Sequence, residues 1–259
     1  MGGAMHAVEM SGVSYAYPEG TELVFHDLTA QAPQGVVALV GQNGTGKSTF
    51  MLLASGIAVP SAGTVLLRGV DTRELRDAHT RQRHVSLIHQ NMEFETEESI
   101  GDLIMYVYRT GYHEQHSEEF VRELVDAFEL HDVLHKRTQE VSKGELQRTL
   151  LTFCLLYGSR VLMMDEPVFA LEEQQKRKMM GYLYEYAHRE GLSWYYSVHE
   201  LELSAQYSDY VALFRQDQPP LIGRTEDLHN REQLERAYDI PFDFLKRREA
   251  LYREALRGG

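Results

Sequence analysis

The sequence predicts an α/β protein: a mostly parallel sheet core with helices on its faces, an N-terminal antiparallel β region and an inserted helical subdomain. Three observations lead there. A short β-branched apolar run at Val36–Val40 meets a glycine-rich loop and then a helical pattern. Apolar strand candidates alternate with helical periodicity up to residue 198. Between about 92 and 157 the periodicity is helical alone, the mark of an insert.

The elements follow in order. Glu9–Tyr17 and Leu23–Gln31 read as strands separated by the turn at Pro18-Glu19-Gly20, and Pro33-Gln34-Gly35 turns the chain again. Val36–Val40 is a buried parallel strand by composition. Gly41–Thr49 fits G-x-x-x-x-G-K-[ST], the phosphate loop of P-loop NTPases. Its glycines let backbone N–H groups point at phosphates, so Gln42, Asn43, Gly44, Thr45, Gly46, Lys47, Ser48 and Thr49 form the candidate cradle. Lys47 reaches toward the β- and γ-phosphates, Ser48 offers an oxygen to Mg²⁺, and the following helix aims its positive end at the same anion. Thr64–Leu67 and Val85–Ile88 are strand candidates after the break at Pro60–Gly63. Ser99–Thr110 and Glu118–Phe128 carry apolar residues at helical spacing. Strand character returns at Arg160–Met164 and Leu192–Val198, with a helix over Glu172–Arg189 between them.

Composition narrows the function. Among 259 residues, 39 acids against 26 bases give a net charge of −13, which disfavours DNA or RNA as a partner. No run of 18 apolar residues and no secretory leader is expected, so the chain reads as cytoplasmic. Cys154, the single cysteine, lies in an apolar helical run and reads as a buried thiol. The twelve histidines show no metal-ligand spacing. Met1–His6 is weakly patterned and is set aside.

Two further segments carry chemistry. Val161–Met164 ends in Asp165-Glu166-Pro167, two acids at the tip of a strand where a parallel sheet opens its ligand crevice. Asp165 suits a magnesium shell and Glu166 suits orienting or deprotonating water. Ser142, with Glu145 three residues on, predicts a capping box at the start of a long apolar helix, and a helix start also attracts an anion.

Taken together, these motifs resemble the ATP-binding cassette (ABC) ATPase family over residues 8 to about 235, in motif order. The resemblance implies ATP and Mg²⁺ as ligands and a domain spanning 7–240, with the helical subdomain near 92–157 and a helical tail at 241–259. It implies that Val141–Glu145 is the signature segment, whose Ser142, Gly144 and Glu145 meet the γ-phosphate held by a second copy. Tyr17 then stacks on adenine, Gln90 reaches Mg²⁺ and the attacking water, and His199 is the switch histidine. The implied catalytic set is Lys47, Gln90, Glu166 and His199, and the metal set is Ser48, Gln90 and Asp165.

The chain departs from the family pattern at Lys143, where glycine is usual, at Glu145 in place of glutamine, and at Phe169-Ala170-Leu171-Glu172, where S-A-L-D is usual. None of these removes a catalytic group. The family reading implies a motor on the cytoplasmic face of the membrane, paired head to tail with a second copy and with a transmembrane permease. In the complete system an extracytoplasmic binding protein joins them. Met92, Phe94, Ile100, Met105 and Tyr106 are candidate permease contacts. Gly223–Leu228, Leu234 and Tyr238 resemble the tails of importer cassettes for iron–siderophore, haem or cobalamin, while Lys143 resembles some exporters. Import is the expected direction; export, or a soluble regulatory cassette with little turnover, are the alternatives. Phe242–Arg257 is expected to form a basic amphipathic helix.

Overall fold

The computed structural model describes residues 6–18, 20, 22–90, 92–112 and 117–247. The chain opens with β1 (His6–Tyr15), β2 (Phe25–Pro33) and β3 (Val36–Val40), then α1 (Lys47–Ala54), β4 (Ala62–Leu67) and β5 (Val70–Asp71). Next come α2 (Ala78–His84), β6 (Val85–Ile88), α3 (Ile100–Thr110), α4 (Glu118–Ala127) and α5 (Lys143–Leu156). The rest is β7 (Val161–Asp165), α6 (Glu173–Glu190), β8 (Ser193–Ser197), α7 (Leu201–Gln206), β9 (Tyr210–Arg215), β10 (Gln218–Arg224), α8 (Thr225–Leu228) and α9 (Arg231–Tyr238).

Two sheets form. β2-β1-β4-β5 is antiparallel, and β10-β9-β3-β8-β7-β6 is parallel except at its β9–β10 edge. Strand alternation explains why the second sheet needs cover on both faces. Val36, Ala38, Val40, Leu162, Met164, Trp194 and Tyr196 join the core beneath α3–α6. Val37, Leu39, Met163, Tyr195 and Phe214, one residue out of phase, join the core shared with α1 and the antiparallel sheet. Both sides being apolar, β3, β7 and β8 are buried along their whole length.

The insert lies between β6 and β7 in sequence. Ser99 caps α3 by accepting the Asp102 N–H, and Ile100, Ile104 and Val107 form the buried stripe. α4 buries Phe120, Val121, Leu124 and Val125. Cys154 is buried in α5, and burial pushes its thiol up to about 12. At the C-terminal end, residues 242–247 are helical with Leu245 buried. The remainder of the expected amphipathic helix lies outside the described residues.

Candidate functional site

The crevice lies at the C-terminal ends of β3, β6, β7 and β8, where the sheet presents its loops to one side. The 41–49 loop leaves β3 through Gly41, whose φ of +148° and proximity to Phe214 leave no room for a side chain. A Cβ there would lie 2.3 Å from the Phe214 carbonyl oxygen. Gly44 and Gly46 also have positive φ, and a Cβ on Gly46 would meet the Phe25 ring at 2.6 Å. Gly46 begins α1 without any side-chain cap, which suits a helix start to an anion.

Lys47 Nζ donates to the carbonyls of Gly41 at 2.8 Å and Gln42 at 2.7 Å, bridging the loop. Burial pushes its pKa down to about 8, against the opposing pull of Asp165 and Glu166. Thr45 Oγ1 bonds to the Gln42 carbonyl at 2.8 Å. The Gln42 side chain turns away and donates to the carbonyl of Tyr238 at the end of α9.

One open cavity of about 470 Å³ gathers most of the expected residues. Tyr17, Asn43, Gly44, Gly46, Lys47, Ser48, Thr49, Gln90, Asp165 and Glu166 all line it. Gln42, Thr45, Ser142, Gly144, Glu145 and His199 do not. The donors Ser48, Gln90 and Asp165 are hard oxygens converging on one space, which is the chemistry Mg²⁺ selects. Glu166 also has a buried Oε2 with no hydrogen-bond partner, an acceptor left available.

The acid pair is held from three elements. Asp165 ends β7, and Glu166 follows with φ +52°, a strained conformation for a non-glycine residue. Ser197, ending β8, donates its hydroxyl to Asp165 Oδ1 and accepts the Glu166 N–H at 3.1 Å. Gln147 of α5 donates to the Glu166 carbonyl at 2.8 Å and accepts the Ala170 N–H at 2.9 Å. His199 Nε2 lies 2.5 Å from Glu166 Oε1. Neither Ser197 nor Gln147 stands out in sequence. The available signals are a small polar residue at the tip of an apolar strand and a glutamine one turn into a capped helix.

At the start of α5, Ser142 and Glu145 form the expected capping box. Ser142 Oγ accepts the Glu145 N–H at 3.2 Å, and Glu145 Oε2 accepts the Ser142 N–H at 2.7 Å. Gly144 packs on the 166–172 loop, where a Cβ would lie 3.0 Å from the Ala170 carbonyl. Lys143 is exposed and lies 3.6 Å from Glu93, a contact worth little in water. Among the candidate permease contacts, Met92 and Tyr106 are exposed. Ile100 is fully buried, and Phe94 and Met105 pack on the insert's own core. Helical spacing alone does not separate these two faces.

A phosphate-loop cradle after β3, an acid pair at the tip of β7 two strands along the sheet, and a histidine on the acid define a nucleoside-triphosphate-binding α/β protein. The sequence profile described as "ABC transporter" matches residues 25–169. The chain belongs to the ABC transporter family and is one of its ATP-binding, ATP-hydrolysing cassettes. A cobalt import ATP-binding protein of Rhodobacter capsulatus is 30% identical over 207 residues, covering 78% of this chain and 73% of that protein. A phosphonates import ATP-binding protein of a Synechococcus species is 27% identical over 223 residues, covering 80% and 81%. Among solved structures, a dimeric ATP-binding cassette in a post-hydrolysis state with ADP and Pi superposes with a TM-score of 0.72. At 17% identity over 84% of this chain and 98% of that one, it establishes a shared fold.

Proposed function

We propose that this chain is the ATP-driven motor of a membrane importer, working as a head-to-tail pair of identical chains on the cytoplasmic face beneath a transmembrane permease. The observation that carries the hydrolytic part is the contact of His199 Nε2 with Glu166 Oε1, at the edge of the cavity that holds Lys47 and Asp165. In this reading Tyr17 stacks on the base, and the loop 42–49 with Lys47 holds the phosphates. Mg²⁺, held by Ser48, Gln90 and Asp165, would neutralise charge on the β- and γ-phosphates. Glu166 takes the proton of the attacking water, while His199 fixes the carboxylate that does so. Ser142, Gly144 and Glu145 sit away from the cavity, which supports their use on the phosphate of a second copy. The working unit is then the domain 7–240 with its helical subdomain near 92–157, and 241–259 is an accessory tail.

Import is supported by the relatives named for cobalt and phosphonate import. No described helix is long and apolar enough to cross a membrane, and in this reading the transport path belongs to the permease. The exposed Met92 and Tyr106 lie on the insert, where such a partner would dock. An extracytoplasmic binding protein would complete the system.

Glu166→Gln tests the hydrolytic assignment. ATP hydrolysis should fall by at least about 100-fold while nucleotide binding and ATP-dependent dimerisation persist. Turnover at the wild-type rate would remove Glu166 from the role.

A further inference from the structure

We propose that Lys176 and Glu200 form a buried ionic strut that positions His199 against Glu166, making Lys176 a positioning residue for hydrolysis although it lies outside the cavity lined by the phosphate loop and the acid pair. The inference rests on the reading of Glu166 and His199 as the hydrolytic pair.

Four observations carry it. Lys176 Nζ is hydrogen-bonded and ion-paired to Glu200 Oε1, with side-chain exposures of only 5% and 9%. Glu200 immediately follows His199 and is the N-cap residue of α7, so whatever fixes Glu200 fixes the backbone carrying the histidine. Lys176 stands in the first turn of α6, its N–H bonded to the Glu172 carbonyl, directly after the 166–172 loop. Finally, Lys176, Glu200, His199, Glu166, Val168 and Phe169 all border one cavity of about 20 Å³, so the ion pair and the hydrolytic pair share one shell.

The physical argument follows from what a buried pair does. Two charges taken out of water gain little over apolar packing of the same shape, but they fix geometry, because a displaced partner leaves an unpaired charge inside. β8 holds His199 only from its N-terminal side. On the other side the Glu200 carbonyl accepts the Leu203 and Ser204 N–H groups of α7, and the strut adds a side-chain hold that starts from α6 rather than from the sheet. The 166–172 loop and the histidine therefore move together. A displacement of that loop reaches Nε2 through Lys176 and Glu200 without passing through the nucleotide.

The test is steady-state ATP hydrolysis by the full chain, with melting temperature recorded for each variant. Lys176→Met is expected to lower kcat by about 10-fold or more while KM for ATP stays within about twofold, since misplacement of about 1 Å is costly to catalysis but not to binding. Lys176→Arg keeps the charge and should recover most of kcat. Glu200→Gln, nearly isosteric, should lower kcat in the same way, and it decides the matter if Lys176→Met does not fold. A folded Lys176→Met or Glu200→Gln protein with wild-type kcat overturns the proposal. So does an equal loss of melting temperature, kcat and KM in both Lys176 variants, which marks a structural staple. Glu166→Gln is the control: if it still turns over, the underlying hydrolytic reading fails. If it is inactive while Lys176→Met is normal, only the strut fails.

Discussion

Tyr17 and Thr49 are joined by a 2.8 Å hydrogen bond between their side-chain oxygens, which ties the segment after β1 to the first turn of α1. Tyr17 also meets Tyr15 edge-on at a centroid distance of 5.3 Å. Tyr17 is 41% exposed and lines the cavity, as the proposed stacking on the base requires.

Removing that platform should weaken binding. Tyr17→Ala is expected to raise the dissociation constant for ATP by up to about 10-fold, the value of one aromatic stack. Tyr17→Phe keeps the ring and loses only the tether, so its change should stay within about threefold. Equilibrium titration with a fluorescent nucleotide measures both. Equal affinities for Ala and wild type would take Tyr17 out of the site.

Lys47 predicts how binding depends on pH. With its pKa pushed down to about 8, the free loop loses the lysine charge as pH rises through that value. Phosphate favours the charged form, so binding takes up a proton there, and affinity should fall by as much as about tenfold per pH unit above 8. Calorimetry in buffers of different ionisation enthalpy reads the proton uptake directly. The stability sign is separate. Below about 8 the folded state carries a buried charge that the unfolded chain solvates, so this penalty is relieved as pH rises through that value toward the usual lysine range.

The loop glycines should differ in tolerance. Gly41→Ala places a Cβ 2.3 Å from a backbone oxygen at φ +148° and should cost about 3 kcal/mol or more in denaturant unfolding. Gly44→Ala meets nothing within 4 Å at φ +80° and should cost only about 1 kcal/mol of backbone strain. Equal costs would show that the loop relaxes around the clash.

The parts legible in sequence are those encoded locally. Val36–Val40 is a strand over those same residues because a β-branched apolar run between Gly35 and Gly41 has few other uses, and Val85–Ile88 is likewise a strand over the residues expected, directly after α2. Ser99 and Ser142 announce their helices because capping depends only on the next three residues. Residues 210–224 are harder to read, since Pro219 and Pro220 interrupt what proves to be an edge strand, where a missing N–H is tolerated. α2 buries no residue and therefore shows no apolar stripe. Ser197 and Gln147 gain their bonds to the acid pair from chain separations of 19 to 32 residues, which no local pattern carries.

The backbone contact of Gly144 with Ala170, reinforced by Gln147, has a consequence for timing. In a symmetric pair, the start of α5 would serve one nucleotide and the 166–172 loop of the same chain would serve the other. In the proposed head-to-tail pair, the packing of these two segments would link the two nucleotides, so that an event at one would set the phase of the other and the pair would run as a single oscillator.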